Sequence, residues 1–598
     1  MGTFAKQFLA TIAAIVASIV IFIVALVIVV SVSIGVITSQ SSEPIQKGSV
    51  LEINMDQLIV DAPDLSPIAP LKNLLSGAAP QVSMVDLFRA LEFAAGDKNI
   101  TALSLRLDGD EHISLANASE MRDLISNFRL MSAKPVFAYA ENYSQVEYLL
   151  ASVVDSMYIH PLGSIEWQGV AVNTLYYGDL FEKVGVEAEV FRPESCRYKS
   201  AVEPYIRSDM SIESREQNSN IVNTFWDSIL SEVSISRKVS VEELRRVAKD
   251  QIIVEAKEAK QRRLVDVVAY RDGYDAALER LGVVRGEGGK LRTTTLANYA
   301  YSVRSAIEEE SRSIVGGANK IAIIYADGVI VDGDIPSASG GEVVSGVVAR
   351  QLRRARLDKD IKAVVVRVNS PGGSALAADV IWREMDLLQR VKPVIVTMGS
   401  YAASGGYYIS APADVILTNR YTLTGSIGVY GVMFAYEDAL RRHLHISTDG
   451  VVSEPSADFG RVARGITPIE RAAVMRGVET VYDKFQECVV KGRKLSPAVV
   501  STLSGGRVWC GKESVGCGLT DGVGGLREAL SIAVDRCDMG NDVIELVEYG
   551  SEYDNLTSSF GGYLLSNITA SNTLLTELKA LLLDSNKVMA LTPQRVKF

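Results

Sequence analysis

Two kinds of hydrophobic pattern divide the chain. Residues 8–37 form a predominantly apolar run without a charged side chain, which is longer than the about 20 residues that cross a bilayer as a helix. From residue 45 onward, short β-branched apolar runs alternate with stretches of helical spacing. This alternation favours a largely parallel sheet covered by helices. The sequence therefore predicts one transmembrane helix over 8–37 followed by an α/β body.

The short segment before the apolar run predicts its orientation. Residues 1–7 carry Lys6 and the amino terminus, whereas a polar segment without a basic residue follows the run. Because positively charged flanks stay in the cytoplasm, we expect the N-terminus inside and the body outside it, at the cytoplasmic membrane. A cleaved signal peptide is the alternative, since Ser31, Ser33 and Gly35 resemble a cleavage site. Its apolar core, however, is usually only about 7–15 residues long.

The body contains an internal repeat. The matching segments are 47–61 and 320–332, 102–107 and 363–368, 134–136 and 392–394, and 163–165 and 425–427. We therefore predict a duplicated α/β domain, with a helical arm near 214–244 in one copy and near 468–495 in the other. The predicted boundaries are an N-terminal domain at 45–292, a linker at 293–319, a C-terminal domain at 320–535 and a tail at 536–598.

Composition argues against several classes of function. The net charge of −11 argues against nucleic acid as a partner, because phosphate binding needs a basic face. The five cysteines include no pair with zinc-ligand spacing, and their odd number does not suggest a disulfide framework. None of the four histidines has a recognisable catalytic setting. We therefore expect neither a metal nor another cofactor.

A serine flanked by small residues follows one of the predicted strands. The sequence YAASGGYYIS at 401–410 comes after an apolar run at 394–396. Small neighbours let a peptide backbone approach the hydroxyl of Ser404, and Gly405 and Gly406 permit a tight turn. The same residues also suit a helix that merely packs closely against a sheet, so the motif alone leaves both interpretations open.

Comparison of the two copies favours chemistry over packing. Alignment of the copies places Val146 opposite Ser404, so the first copy has no nucleophile there. The second copy also has the turn NSPGG at 369–373, where the first copy has an acidic turn at 108–111. Backbone N–H groups of such a glycine turn suit a developing oxyanion, which an acidic turn would repel. The serine and the glycine turn thus occur together in one copy.

A nucleophilic serine needs a base, and the second copy offers no obvious one. No histidine lies in a fitting place, and residues 393–483 contain no lysine. The first copy has Lys199, which is followed by small apolar residues. In a partly buried cleft, desolvation would lower the pKa of this lysine from about 10.4 toward neutrality. The alternative is an ordinary solvated surface charge, so the lysine matters only because a base is otherwise missing.

The motifs in their order resemble a known protein family. They are YKSAVEPY at 198–205, NSPGG at 369–373, the serine motif at 401–410, TGSIG at 424–428 and GRVW at 506–509. Together they resemble the long form of bacterial signal peptide peptidase A, a family of membrane-anchored Ser-Lys proteases. The resemblance covers the chain from the apolar run to about Asp535. It implies tandem crotonase/ClpP-like α/β domains that assemble as a homotetramer on the outer face of the cytoplasmic membrane.

The resemblance also implies roles for single residues. The family's nucleophile falls on Ser404, its general base on Lys199, and the hydroxyl that orients the lysine amine on Ser426. The oxyanion donors fall on the backbone of Gly372 and Gly373. The implied substrates are peptides with apolar segments, above all signal peptides left in the membrane after secretion. No metal or nucleotide is implied.

Two other functions remain open from the sequence. The first is a catalytically silent scaffold that binds membrane segments. The second is a cytosolic acyl-CoA enzyme of the crotonase type, which shares the oxyanion geometry but needs no Ser-Lys pair. The sequence also leaves open whether Lys199 meets Ser404 of its own chain or of a neighbour; we expect the same chain, because the tandem arrangement supplies both residues.

Overall fold

The computed structural model describes residues 45–64, 81–109, 113–313, 319–336, 341–460, 463–540, 544–550 and 589–591. The predicted transmembrane helix over 8–37 lies outside these residues, as does most of the predicted tail. Within the described ranges, no helix is both long and apolar enough to cross a membrane.

The first half of the body is an α/β unit built on a parallel sheet. Its strands are β1 (Ser49–Asn54), β2 (Leu58–Val60), β3 (Gln81–Ser83), β4 (Ile100–Arg106), β5 (Val136–Ala140), β6 (Ser156–Ile159), β7 (Ser164–Glu166), β8 (Glu187–Phe191), β9 (Ile253–Glu255), β10 (Val267–Val268) and β11 (Thr293–Thr295). Its helices are α1 (Met84–Gly96), α2 (Leu115–Ser132), α3 (Gln145–Ala151), α4 (Gly178–Val184), α5 (Glu203–Ile206), α6 (Ile212–Arg237), α7 (Val241–Asp250), α8 (Ala256–Gln261), α9 (Arg271–Arg280) and α10 (Leu296–Ser313). The main sheet has the order β10-β6-β5-β4-β1-β11, with every pair parallel.

The second half repeats this plan. Its strands are β12 (Asn319–Asp327), β13 (Val329–Val331), β14 (Glu342–Val344), β15 (Ile361–Ser370), β16 (Gly372–Ser374), β17 (Val394–Ala403), β18 (Val415–Thr418), β19 (Leu423–Gly425), β20 (Gly431–Ala435), β21 (Val508–Cys510), β22 (Gly522–Val523), β23 (Ile544–Tyr549) and β24 (Met589–Leu591). Its helices are α11 (Ser345–Leu357), α12 (Ala375–Gln389), α13 (Gly405–Ser410), α14 (Glu437–Ala439), α15 (Pro468–Arg493), α16 (Pro497–Leu503), α17 (Gly511–Gly516) and α18 (Leu526–Arg536). The run β22-β18-β17-β15-β12-β23 of its main sheet matches the whole first sheet.

The central strand β15 shows why the sheet is continuous and parallel. Val364 and Val366 belong to one hydrophobic core, whereas Ala363 and Val365 belong to the core on the opposite face. A strand that is buried on both faces needs an unbroken apolar run rather than an alternating one. The predicted helical arms are also present, as α6 and α15.

One edge of each main sheet lies outside the predicted domain boundaries, in the predicted linker or the predicted tail. Strand β11 and helix α10 occupy most of the predicted linker, and Arg304 of α10 forms an ion pair with Asp86 of α1. Strand β23 lies in the predicted tail and pairs in parallel with β12. These edge strands could not be predicted from the sequence, because a short polar or mixed segment has no clear hydrophobic pattern and becomes a strand only by pairing with its neighbour.

Equivalent hydrogen bonds give a second alignment of the two copies. Tyr148 donates its hydroxyl hydrogen to the Leu264 carbonyl, and Tyr407 donates in the same way to that of Leu519. This equivalence places Gln145, and not Val146, opposite the serine at 404. The starts of the equivalent helices give another register, because Ser144 and Ser404 are the N-cap residues of α3 and α13. Ser144 Oγ accepts a hydrogen bond from Glu147 N as a helix cap.

A buried ion cluster joins the two halves. Arg367 of β15 lies 2.6 Å from Asp61 Oδ1 and 2.8 Å from Glu120 Oε2 of the first half. All three side chains are at least 95% buried. The counterpart of Arg367 in the first copy is Arg106, which forms an ion pair with nearby Asp108 at a half-buried site. The cluster therefore belongs to the interface between the copies rather than to the repeated fold.

Candidate active site

Ser404 lies at the junction of β17 and α13, where the chain turns sharply. Its backbone has φ 56° and ψ −117°, a conformation that is costly for any residue other than glycine. The turn is held because the N–H of Ser404 donates to the carbonyl of Gly425 at 2.8 Å. Strain of this kind at a buried serine marks a place where the surrounding structure imposes one orientation on the hydroxyl.

The two glycines after Ser404 are required by close backbone packing. A Cβ added to Gly405 would lie 3.2 Å from Gly372 Cα and from Gly373 N. A Cβ added to Gly406 would lie 2.5 Å from the carbonyl oxygen of Ser370. The small-residue motif therefore brings the glycine turn at 369–373 against the residue that follows the serine.

Within the glycine turn, Gly372 has φ 105°, a conformation that favours glycine. Its N–H donates to Ser370 Oγ at 3.2 Å. Gly373 pairs with Ile330 of β13, and the short strand β16 that contains both glycines also pairs with β24. The turn thus packs against Gly405, the residue next to the serine. Before the N–H of Gly372 could bind an oxyanion, it would have to give up its hydrogen bond to Ser370 Oγ.

The loop that carries Lys199 comes from the first half. It follows β8, which pairs antiparallel with β20 of the second half and so brings the loop across the boundary between the copies. The loop is held by its own backbone, because Lys199 N donates to the Cys196 carbonyl at 3.1 Å. Arg192 adds a side-chain hydrogen bond to the Lys199 carbonyl at 2.9 Å.

The structure brings three of the predicted site residues into direct contact. Lys199 Nζ lies 2.7 Å from Ser404 Oγ, 3.0 Å from Ser426 Oγ and 3.1 Å from the Ser426 carbonyl oxygen. These four atoms belong to one residue of the first half and two residues of the second half. Lys199 is 1% exposed, and Ser404 is fully buried.

Burial sets the protonation of the lysine. Desolvation lowers the pKa of Lys199 to about 7, against the weaker opposing influence of Cys196. About half of the amine is therefore neutral at neutral pH, and a neutral amine has a lone pair that can accept a proton. Burial raises the pKa of the Cys196 thiol, so this neighbour is itself kept neutral.

Ser426 is also held in a strained conformation, with φ 50°. Its N–H donates to the Arg507 carbonyl at 2.7 Å, and its hydroxyl donates to the Gly506 carbonyl at 3.3 Å. The segment 505–507 is therefore part of the site, and sequence reasoning missed its role. The signal was present, because GRVW at 506–509 is one of the family motifs, but backbone contacts leave no catalytic side chain to recognise.

Comparison with known proteins identifies the family of the chain. Residues 129–285 and 386–539 match the model of peptidase family S49. Protease 4 of Salmonella typhi is 35% identical over 513 residues, covering 83% of this chain and 79% of that protein. Protease 4 of Haemophilus influenzae is 33% identical over 525 residues, covering 84% and 81%. The chloroplastic serine protease SPPA of Arabidopsis thaliana is 30% identical over 535 residues, covering 89% and 75%.

These matches confirm the resemblance inferred from the motifs and the duplication of the α/β domain. The matched segments fall one in each half, and the relatives extend over most of the chain. The chain therefore belongs to peptidase family S49, as a tandem-domain serine protease of the Protease 4 and SPPA type.

Proposed function

We propose that this protein hydrolyses peptide bonds with a dyad of Ser404 and Lys199. The observation that carries the proposal is the 2.7 Å distance between Lys199 Nζ and Ser404 Oγ at a site where Lys199 is 1% exposed. A buried lysine with a pKa of about 7 is suited to act as a base at neutral pH. No carboxylate or histidine is needed to activate the serine.

The reaction proceeds by acyl transfer. Neutral Lys199 accepts the proton of Ser404 while Oγ attacks the peptide carbonyl carbon, and a C–O bond forms as the carbonyl electron pair moves to oxygen. The N–H groups of Gly372 and Gly373 stabilise this oxyanion. Protonated Lys199 then gives its proton to the leaving amine as the C–N bond breaks. Water, deprotonated by Lys199, hydrolyses the acyl-enzyme and regenerates the Ser404 hydroxyl.

Ser426 keeps the amine aimed at Ser404 during these steps. Two of its oxygens, one side-chain and one backbone, lie within 3.1 Å of Lys199 Nζ. They accept the N–H groups of the amine and leave its lone pair for the serine. The substrate binds as an extended strand beside the glycine turn, in place of β24, and backbone hydrogen bonds hold it there.

We further propose that the helix over 8–37 anchors the enzyme in the cytoplasmic membrane, with the body outside the cytoplasm. There a homotetramer degrades cleaved signal peptides. The uncharged apolar run supports the anchor, and Lys6 supports its orientation. An anchored protease lies close to peptides that remain in the same membrane, which would raise their effective concentration at the active site.

The dyad is tested by acylation of the full chain in detergent with a peptide β-lactone, followed by mass spectrometry of the labelled peptide. We expect labelling at Ser404 and its loss in both Ser404→Ala and Lys199→Ala. The matched controls are Ser152→Ala, a buried serine in the equivalent helical region of the first half, and Lys392→Ala, a partly buried lysine away from the site. Labelling that survives in Lys199→Ala contradicts the dyad. Turnover of an acyl-CoA thioester without peptide cleavage would favour the crotonase-type alternative.

The anchor is tested by vesicle flotation. The full chain and a chain that begins at residue 45 are each mixed with phospholipid vesicles while the detergent is removed, and the vesicles are then floated on a density gradient. We expect only the full chain to float. We also expect it to cleave a vesicle-bound synthetic signal peptide faster than the shortened chain does, while both cleave a soluble peptide at similar rates. Equal flotation of the two chains contradicts the anchoring role of 8–37.

A further inference from the structure

The stretch 505–507 lies between the lysine loop and Ser426 and is bonded to both. On one side, Tyr198 N donates to the Gly505 carbonyl at 2.9 Å. On the other side, Gly506 N donates to the Ile427 carbonyl at 2.9 Å, and Ser426 N donates to that of Arg507 at 2.7 Å. A segment bonded to both loops by its backbone sets the distance between them.

Gly506 leaves no room for a side chain at this junction. A Cβ added to it would lie 2.6 Å from both Lys199 Cβ and Lys199 N, and 2.8 Å from Lys199 Cα. These atoms are backbone or directly attached to it, so they cannot move aside as the end of a flexible side chain could. Gly506 also has φ 81°, a conformation that other residues rarely adopt. The backbone of Gly506 is thus in direct packing contact with that of the lysine.

The carbonyl of Gly506 determines which groups at the site donate hydrogen bonds and which accept them. A carbonyl oxygen only accepts, so the Ser426 hydroxyl, 3.3 Å away, must donate to it. Ser426 Oγ then accepts from Lys199 Nζ at 3.0 Å, and the Ser426 carbonyl accepts the second N–H at 3.1 Å. A neutral amine has two N–H groups and one lone pair. The lone pair therefore faces Ser404 Oγ, which donates its hydrogen to it.

We propose that Gly506 is a positioning residue for the general base: its carbonyl orients the Ser426 hydroxyl, and its missing side chain lets Lys199 reach Ser404. This role rests on the proposed function of the Lys199–Ser404 dyad. A methyl group at 506 displaces the lysine backbone, lengthens the contact between Nζ and Oγ, and opens the site to water. Water around the amine favours its protonated form, so the pH at which the enzyme becomes active moves upward.

A second contact supports the same stretch from behind. The hydroxyl oxygen of Tyr482, on α15, accepts a hydrogen bond from Gly505 N at 3.3 Å, and Tyr482 is buried. Replacing this tyrosine by phenylalanine removes the acceptor and adds no atoms. Tyr482→Phe is therefore a milder perturbation of the same segment.

The test compares Gly506→Ala with Gly518→Ala in the full chain. Gly518 has nearly the same backbone strain, with φ 80°, but a Cβ there would meet only the flexible Leu495 side chain at 3.4 Å. We measure thermal unfolding, the steady-state kcat and KM for a soluble peptide, and the rate of Ser404 acylation by a peptide β-lactone between pH 5 and 9.

We expect Gly506→Ala to lose at least tenfold in kcat, with KM within about twofold of the parent. We also expect the midpoint of its acylation profile to rise by about half a pH unit or more. Gly518→Ala should keep the parent's kcat and midpoint. If Gly506→Ala behaves like Gly518→Ala in both readouts, the positioning role is wrong. If Gly506→Ala does not fold, the same measurements are made on Tyr482→Phe. A parent-like kcat and a parent-like pH midpoint of acylation in that variant overturn the proposal.

Failure of the dyad itself is seen separately. Normal acylation of Lys199→Ala overturns the proposed function, and with it the role of Gly506. Loss of acylation in Lys199→Ala, together with a parent-like Gly506→Ala, overturns only the inference about Gly506.

Discussion

The rate at which Ser404 is acylated should follow the protonation of Lys199. Burial lowers the pKa of this amine from 10.5 to about 7. At pH 7 an unshifted lysine would be neutral in only about 3 molecules in 10,000, whereas a lysine with a pKa of 7 is neutral in about half. The site therefore raises the fraction of neutral base at pH 7 by roughly a thousandfold. The lowering of the pKa from 10.5 to about 7 itself corresponds to about 5 kcal/mol at 1.36 kcal/mol per pH unit.

The lowered pKa predicts the direction and the steepness with which the acylation rate changes with pH. The folded pKa lies below the ordinary value, so the base is neutral above about pH 7 and becomes protonated as the pH falls through it. We expect the acylation rate to level off above pH 8 and to fall about tenfold per pH unit below pH 6. The assay is the pre-steady-state burst of a 4-nitrophenyl peptide ester, recorded from pH 5 to 9 at constant ionic strength.

A second buried group near the site requires a control. Burial raises the pKa of Asp327 from its acidic range toward neutrality, and Asp327 Oδ1 accepts a hydrogen bond from Asn369 Nδ2 at 2.9 Å, just before the glycine turn. Asp327→Asn keeps the shape of this side chain and removes its titration. We expect the pH midpoint to be unchanged in this variant.

Three results would refute the reasoning. A burst rate that is constant between pH 5 and 8 would show that no group with a pKa near 7 controls acylation. A burst rate that still rises about tenfold per pH unit up to pH 9 would show that the lysine keeps its ordinary pKa and is not desolvated during catalysis. If the burst rate of Asp327→Asn no longer changes with pH near pH 7, the titrating group is the carboxyl group of Asp327 and not Lys199.

Three further predictions concern the supports of the site. Arg367→Met leaves two buried carboxylates without their cation and should lower the free energy of unfolding by about 3–5 kcal/mol; urea unfolding checks this, and an unchanged midpoint would argue against the interdomain cluster. Ser426→Ala removes one hydrogen bond to the amine, worth about 1–2 kcal/mol, and should slow acylation roughly tenfold; a parent-like burst rate contradicts the orienting role of this serine. Gly406→Ala pushes a methyl group against the Ser370 carbonyl and should destabilise the fold by about 1–3 kcal/mol. Gly477→Ala, where a Cβ meets only open space, is its control, and equal unfolding midpoints for the two variants would show that the turn can relax.

Much of the fold could be predicted because its signals are local. A central parallel strand is buried on both faces, so the middle of β15 at 363–366 and the start of β17 at 394–396 appear in the sequence as apolar runs. Repetition of these runs showed the duplication. The edge strands β11 and β23 were missed, since Thr293–Thr295 carries no apolar pattern and becomes a strand only by pairing with β1.

The residues of the candidate site also include some that could be predicted from the sequence and some that could not. Ser404 could be predicted because its motif is contiguous and because close backbone packing requires glycine at 405 and 406. Gly506 could not, since its role depends on a carbonyl oxygen and on the absence of a side chain. The motif GRVW at 506–509 marks the position, but neither feature can be inferred from the residue types of the motif.

The sequence by itself determined two copies of a parallel α/β unit and the one copy that carries the serine and its glycine turn. These properties follow from hydrophobic periodicity and from contiguous motifs. The sequence also proposed Lys199 as the base, but only the tertiary structure places its amine against the serine, because Lys199 lies 205 residues before Ser404 and reaches it across the boundary between the copies. The structure also decided the basicity of that lysine. A lysine is an ordinary cation in the sequence, and its pKa approaches 7 only because folding removes water from its amine.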